Sequence, residues 1–183
     1  RNTIFYAATQ MVCMLVICSM AAYTLSSKHL KGRKFLNFYL LVPMYFSGGI
    51  IPLFLLMIRL GIYDTPWALI LPGSFNIWYI ILIKSYFSTI PESLREAAQL
   101  DGTNTLGVIF KIMVPMSKSG LVCTLLLSFL DGWNMVEQPI VFLKDLMQYP
   151  LAVALAYVPP GDPNIRLVCS ILVAIPPLLL FAF

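Results

Sequence analysis

Charge is what this chain has least of. Only 11% of its 183 residues are Asp, Glu, Lys or Arg, against about 25% in an ordinary soluble domain, while 60% are hydrophobic and the mean hydropathy is +0.86. That balance excludes a soluble globular domain and describes a polytopic, all-α membrane protein. Histidine is almost missing, with His29 alone, and the four cysteines, Cys13, Cys18, Cys123 and Cys169, are scattered through apolar stretches. No metal site and no disulfide framework can be read from them; the cysteines read as small packing residues and His29 as an exposed loop residue. No GxxxxGK[ST] phosphate loop occurs, so any ATP must bind elsewhere than on such a loop here. The net charge of +4 requires no nucleic acid as partner, because the basic residues cluster in loops, where they orient a membrane protein. There is no internal repeat, low-complexity segment or soluble second domain.

Long uncharged runs fill most of what is there. Residues 3–27 would form a helix of about 37 Å, enough to cross a hydrocarbon core of about 30 Å with some tilt, and too long for the apolar core of a cleaved signal peptide. Residues 35–58 are a second span interrupted by Pro43, Gly48-Gly49 and Pro52. A third, 67–83, breaks near Pro72-Gly73, and Lys84 then returns the chain to the basic side. The fourth covers about 119–143. A fifth begins at Leu167 and contains Pro176-Pro177. Residues 59–65 and 144–164 are outer loops, the latter with turn signals at Tyr149-Pro150-Leu151 and Pro159-Pro160-Gly161-Asp162-Pro163. The proposed inner loops hold Lys28, Lys31, Arg33, Lys34, Lys84, Arg95, Lys111 and Lys118, and the outer segments hold Arg1, Arg59, Lys144 and Arg166. This asymmetry places the region after Lys84 in the cytoplasm. A start at Arg1 and a stop inside apolar sequence suggest a core excerpted from a longer chain, with a further helix before Arg1.

Between the third and fourth spans lies the one long soluble insert, residues 89–116. Thr89 and Glu92 have capping-box spacing, Pro91 fits a first helical turn, and the stretch 93–100 is rich in helix formers. Asp101-Gly102 breaks the run. Leu106, Ile109, Phe110 and Met113 then recur at i, i+3, i+4, i+7, the pattern of a second, amphipathic helix that Pro115 closes. Two helices joined by a glycine turn follow from this spacing.

Within that hairpin Glu96-Ala97-Ala98, Gly102 and Ile112-Met113-Val114-Pro115 stand at the spacing EAA, three residues, G, nine residues, I, any, L, P, with Val114 in place of the leucine. The hairpin resembles the EAA loop of ABC importer permeases, and its flanks, IPESLREAAQLDG and FKIMVP, are similar to those of carbohydrate permeases of the maltose type. The resemblance implies a type I importer transmembrane domain over residues 1–183, with about five spans and the hairpin as a coupling element. It implies that Glu96, Ala97, Ala98, Asp101, Gly102 and Pro115 serve docking on a separate ATPase, two copies of which bind ATP and Mg. A second permease subunit, an extracytoplasmic solute-binding protein and the bilayer of a prokaryotic cytoplasmic membrane complete the implied partners. On this reading the chain has no cofactor of its own and is not an enzyme. An ordinary amphipathic helix lying on the bilayer is the alternative for the same residues.

The fourth span carries the remaining polar signal. Asp131, Asn134 and Glu137, at i, i+3, i+6, would share a third of the circumference of a continuous helix, with Trp133 beside them. Intramembrane carboxylates are costly, so this stripe lines a solute path or packs on the second permease. The Gly132-Trp133-Asn134 stretch resembles a segment common in carbohydrate permeases, which does not separate the two. An importer of a non-sugar solute fits the EAA pattern as well. An intramembrane enzyme using Asp131 and Glu137 as acid and base is a third reading, with no serine, cysteine or histidine completing a catalytic set.

Overall fold

The computed structural model describes residues 1–27, 30–46, 48–156 and 163–182, the side chains of 163–166 and 181–182 excepted. The Lys28 and His29 part of the first basic loop, the turn expected at Pro159-Pro160-Gly161-Asp162 and the Arg166 side chain lie outside this description. Every regular element among the described residues is helical, as so apolar a chain demands: without water to satisfy backbone amides, each segment must close its own hydrogen bonds.

Helix α1 spans Asn2–Ser26 and is the one described helix that is by itself long and apolar enough to cross a membrane. Of the five expected spans, the second and third carry the interruptions that their prolines and glycines announce: by length and composition there is one continuous span, up to three bent helix pairs, and a shorter apolar stretch, Leu167–Leu180, inside the helix Pro163–Ala182. Prolines and capping side chains mark the breaks. Helix α2, Arg33–Tyr45, ends two residues after Pro43, and α3, Ile50–Arg59, starts behind Gly49. Helix α4, Trp67–Ser74, accommodates Pro72; the break falls at Phe75-Asn76 instead, where Asn76 adopts an extended backbone and its side chain accepts the Trp78 N–H at 2.9 Å. A capped start of this kind stabilises a helix by about 1 kcal/mol. Helix α5 then runs Ile77–Ser88, so Lys84 is not the loop residue expected. It lies in the helix and its Nζ donates to Asn37 Oδ1, which lets a long aliphatic stem keep a charge in apolar surroundings.

The chain forms two compact units. One comprises Arg1–Cys13, Gly48–Gly73 and Leu126–Phe183. Its core gathers Tyr6, Met57, Leu69, Ile70, Phe142 and Leu143, and Asp64 ties its loops together: the Asp64 N–H donates to the Phe142 carbonyl, and the carboxylate accepts the Lys144 N–H at 2.7 Å. Small residues let helices meet closely here. A Cβ added to Gly132 would stand 3.0 Å from the Ala7 Cα, so the backbones approach as in small-residue membrane packing.

The other unit comprises Met14–Ser47 and Ser74–Leu125 and contains the soluble insert. Its buried residues include Phe87, Ile83, Met113 and Val108, and a buried cation, Arg95.

Candidate coupling site

The insert is a helical hairpin. Helix α6, Glu92–Leu100, does not begin with the expected capping box: Pro91 occupies the cap position with no side-chain bond, and the Thr89 hydroxyl donates backwards to the Tyr86 carbonyl at 2.7 Å. Thr89 is the C-cap of α5, in right-handed helical conformation, so its side chain closes the helix behind it rather than opening the next.

The end of α6 is built as the glycine predicts. Gly102 takes φ +79°, its N–H donates to Gln99 O, and the Thr103 N–H reaches back to Ala98 O at 3.0 Å. These two bonds are a Schellman closure, which needs a left-handed residue where glycine stands. Asp101 is exposed at the cap just before it. After the turn, Asn104 caps the next helix by accepting the Gly107 N–H at 2.8 Å.

That second helix, Thr105–Met116, departs from the expected face. Its middle, Val108–Met113, is a π-helix, and the buried residues are Val108, Ile109 and Met113, while Leu106 is half exposed and Phe110 38% exposed. A π turn takes in an extra residue, so positions five apart, such as Val108 and Met113, align where α spacing would have aligned Leu106 with Phe110 and Met113. Pro115 is exposed within the last turn, Val114–Met116, and the chain leaves the helix at Ser117.

Arg95 holds the hairpin in place. It is 7% exposed, its Nη2 donates to the Phe87 carbonyl at the end of α5 at 2.7 Å, and its guanidinium lies over the Tyr23 ring of α1 at 5.5 Å. Burial pushes the guanidinium pKa down, assisted by Arg33 and opposed by Tyr23 and Glu92. By its place in the sequence Arg95 is only an inner-loop charge. The available signal was its three-residue spacing from Ala98, which puts both on the buried side of α6. Arg95→Ala is expected to loosen the hairpin by about 2 kcal/mol through the lost charged hydrogen bond. Hydrogen–deuterium exchange should then rise across residues 89–116 and stay unchanged in the first unit.

With Arg95 and Ala98 facing inward, Glu96 and Ala97 are exposed, and Leu100 stands 88% exposed. Of the residues singled out in the hairpin, Glu96, Ala97, Asp101, Gly102 and Pro115 thus lie on the open surface, whereas Ala98, 7% exposed, packs within the chain. A carboxylate, a small residue and a bare leucine on a helix pinned by a buried arginine can be gripped by a partner without the helix deforming.

The second group of residues is arranged otherwise than expected. The helix Lys118–Trp133 stops at Trp133, and the next, Glu137–Phe142, is a separate short element, so Asp131, Asn134 and Glu137 do not form one helical stripe. Pro139 two positions into the new helix supplies no N–H to continue the old one. All three polar residues are exposed. Trp133 is 4% exposed, with its indole N–H donated to the Val173 carbonyl at 3.1 Å and its ring tilted on Phe129 at 5.5 Å. So packed, it presents little of the open face that stacking on a sugar ring needs. Among the described residues no group of three or more His, Cys, Asp or Glu could hold a metal.

Comparison with known proteins locates the hairpin inside a shared region. The family model described as "Binding-protein-dependent transport system inner membrane component" matches residues 14–136. Over 92% of its length the chain is 35% identical to the polygalacturonan/rhamnogalacturonan transport system permease protein YtcP of Bacillus subtilis (strain 168), covering 65% of that protein. It is 32% identical over its whole length to the arabinooligosaccharides transport system permease protein AraQ of Halalkalibacterium halodurans, covering 67% of it. The chain spans about half to two thirds of the length of the curated relatives it matches. Among solved structures, a bacterial ABC transporter involved in the import of the acidic polysaccharide alginate matches 99% of the chain and 71% of the matched chain at a TM-score of 0.87 and 30% identity.

Proposed function

This chain belongs to the family of inner membrane components of binding-protein-dependent transport systems, and from that premise we propose that it is the transmembrane part of a permease subunit in an ATP-driven carbohydrate importer. The observation that carries the reading is the pinned hairpin with Glu96, Ala97 and Leu100 on its open face. Such a surface suits a groove on a soluble ATPase: Glu96 pairs with a basic residue there, and Ala97 allows close backbone approach. Closure of an ATPase dimer around ATP and Mg would then push on α6, and Arg95 would pass the displacement to the end of α5 and to Tyr23. The positive-inside asymmetry of the loops supports a cytoplasmic hairpin. A second permease subunit and an extracytoplasmic solute-binding protein complete the assembly, the latter delivering the sugar. The two relatives named for polygalacturonan/rhamnogalacturonan and arabinooligosaccharides support an oligosaccharide as cargo. The exposed Asp131, Asn134 and Glu137 are assigned to the translocation path or the subunit interface, with Trp133 as a structural anchor behind them.

The test is reconstitution of the full-length permease with its ATPase, partner permease and binding protein in sealed vesicles. An oligosaccharide-loaded binding protein should stimulate ATP hydrolysis several-fold and drive uptake of labelled sugar only when ATP is present. Stimulation by peptides or inorganic anions but by no carbohydrate would overturn the sugar assignment.

A further inference from the structure

Beside the hairpin, within the same unit, lies a semi-enclosed cavity of about 190 Å³ lined by Ser26, Arg33, Ser88, Thr89, Glu92 and Arg95, with Ile90 and Pro91. Its charges are unbalanced in an informative way. Two guanidinium groups face one cavity, and Arg33 is near enough to repel both Arg95 and Lys84. Glu92 is the carboxylate among the described lining residues, and it attracts Arg95 while holding an interaction of its own. Arg95 is more than nine-tenths buried and its Nε has no hydrogen-bond acceptor, although its Nη2 is satisfied by Phe87. The Tyr23 ring offers it π electrons but no lone pair.

The hydroxyls on the wall have no proton left to offer a guest. Ser26 donates to Tyr23 O, Ser88 to Lys84 O and Thr89 to Tyr86 O, each at 2.7 to 2.8 Å, so their protons are already committed. The donors left to a guest are the arginines, and the amino end of the nine-residue α6 adds the positive end of its dipole at the same wall. Planar guanidinium forks match the oxygens of phosphate, and the volume admits one tetrahedral group with part of its water.

We propose that this cavity is a binding site for a single phosphate-class oxyanion, held between Arg33 and Arg95 at the amino end of α6. An anion here neutralises the arginine pair and ties together the ends of α1, α5 and α6, the elements that meet at the coupling hairpin. Two sources carry this chemistry: the headgroup of an anionic phospholipid and free phosphate. The lipid source rests on the cytoplasmic orientation proposed above; the oxyanion chemistry does not.

The experiment uses the full-length permease assembled with its partner subunits. In one arm the delipidated complex in detergent is titrated with inorganic phosphate by calorimetry. In the other, nanodiscs of phosphatidylcholine with or without phosphatidylglycerol are compared by native mass spectrometry for retained lipid. Saturable binding is expected in at least one arm, weakened by added salt and about tenfold by Arg33→Gln, since a charged hydrogen bond contributes that order of affinity. Arg33 is only partly buried, so this variant tests the site without emptying the core. Arg95→Lys, which keeps the charge and loses the fork, should weaken binding as well. Binding in the phosphate arm alone assigns a soluble anion, and in the phosphatidylglycerol arm alone a lipid headgroup; both support the site. No binding in either arm, or equal binding by wild type and Arg33→Gln, overturns it. A complex that retains its ATPase without binding oxyanion sinks the site and leaves the transport reading standing; the reverse result does the opposite.

Discussion

Replacing Glu96 by lysine in the assembled transporter is expected to release the ATPase subunits and abolish ATP-dependent uptake while the membrane protein still folds. The two halves of that result have separate reasons. Glu96 is exposed on α6, on the side opposite the buried Arg95 and Ala98, so reversing its charge removes no packing within the chain. On the partner's side a reversed charge meets the basic residue that should receive it. Loss of a charge pair buried at an interface typically costs about 2–5 kcal/mol, which is roughly thirtyfold to several thousandfold in affinity. Co-purification of the ATPase, with circular dichroism of the permease as the folding control, measures both. Glu96→Gln, which removes the pair without repulsion, should lie between wild type and lysine. Full retention of the ATPase by Glu96→Lys would show that the hairpin docks elsewhere, or not at all.

The second large effect belongs to stability. Gly132→Leu is expected to lower the thermal midpoint of the solubilised permease by about 2–12 °C, taking about 1–3 kcal/mol for overpacking and roughly 2–4 °C per kcal/mol for a chain of this size. The clash is with backbone. A Cβ at Gly132 already comes within 3.0 Å of Ala7 Cα and 3.3 Å of Ala7 Cβ, and a backbone atom cannot swing aside as a side chain can. Relief requires the two helices to separate, which costs the close contact that drives helix association where lipid tails are as apolar as the protein. Gly102→Ala is the contrast: nothing lies within 4 Å of an added Cβ there, so only the left-handed backbone at φ +79° is penalised, by about 1 kcal/mol. A Gly132→Leu protein that melts with wild type would mean that the close approach of Ala7 and Gly132 contributes little.

Several elements could be read directly from residue order because their causes are local. An uncharged run of span length gives α1; Asp101-Gly102 gives the Schellman turn, since positive φ at that point suits glycine; Pro43 and Gly49 flank the gap between α2 and α3. The errors arose where one local preference met another. Thr89 can cap either the helix before it or the one after, and sequence spacing does not rank the two. The i, i+3, i+4 stripe from Leu106 assumed α geometry, and the π segment at Val108–Met113 moved the buried face to other residues. The polar stripe assumed that one helix ran through residues 131 to 137, and the break after Trp133 removed that premise.

The amino-acid sequence by itself determined the class of this protein, its helical content and the position and turn of the hairpin. Apolar surface with so little charge has one stable setting, and a left-handed glycine between two helix-forming runs has few alternatives. Tertiary structure alone decided which side of the hairpin faces out. Burying Arg95 under Tyr23 and on the Phe87 carbonyl requires residues 72 and 8 positions away in the chain to meet, and only that meeting turns Ala98 inward and leaves Glu96 and Ala97 exposed. The reason is physical: periodicity tells which residues share a face, whereas the partner that a face packs against is chosen by contacts distant in sequence.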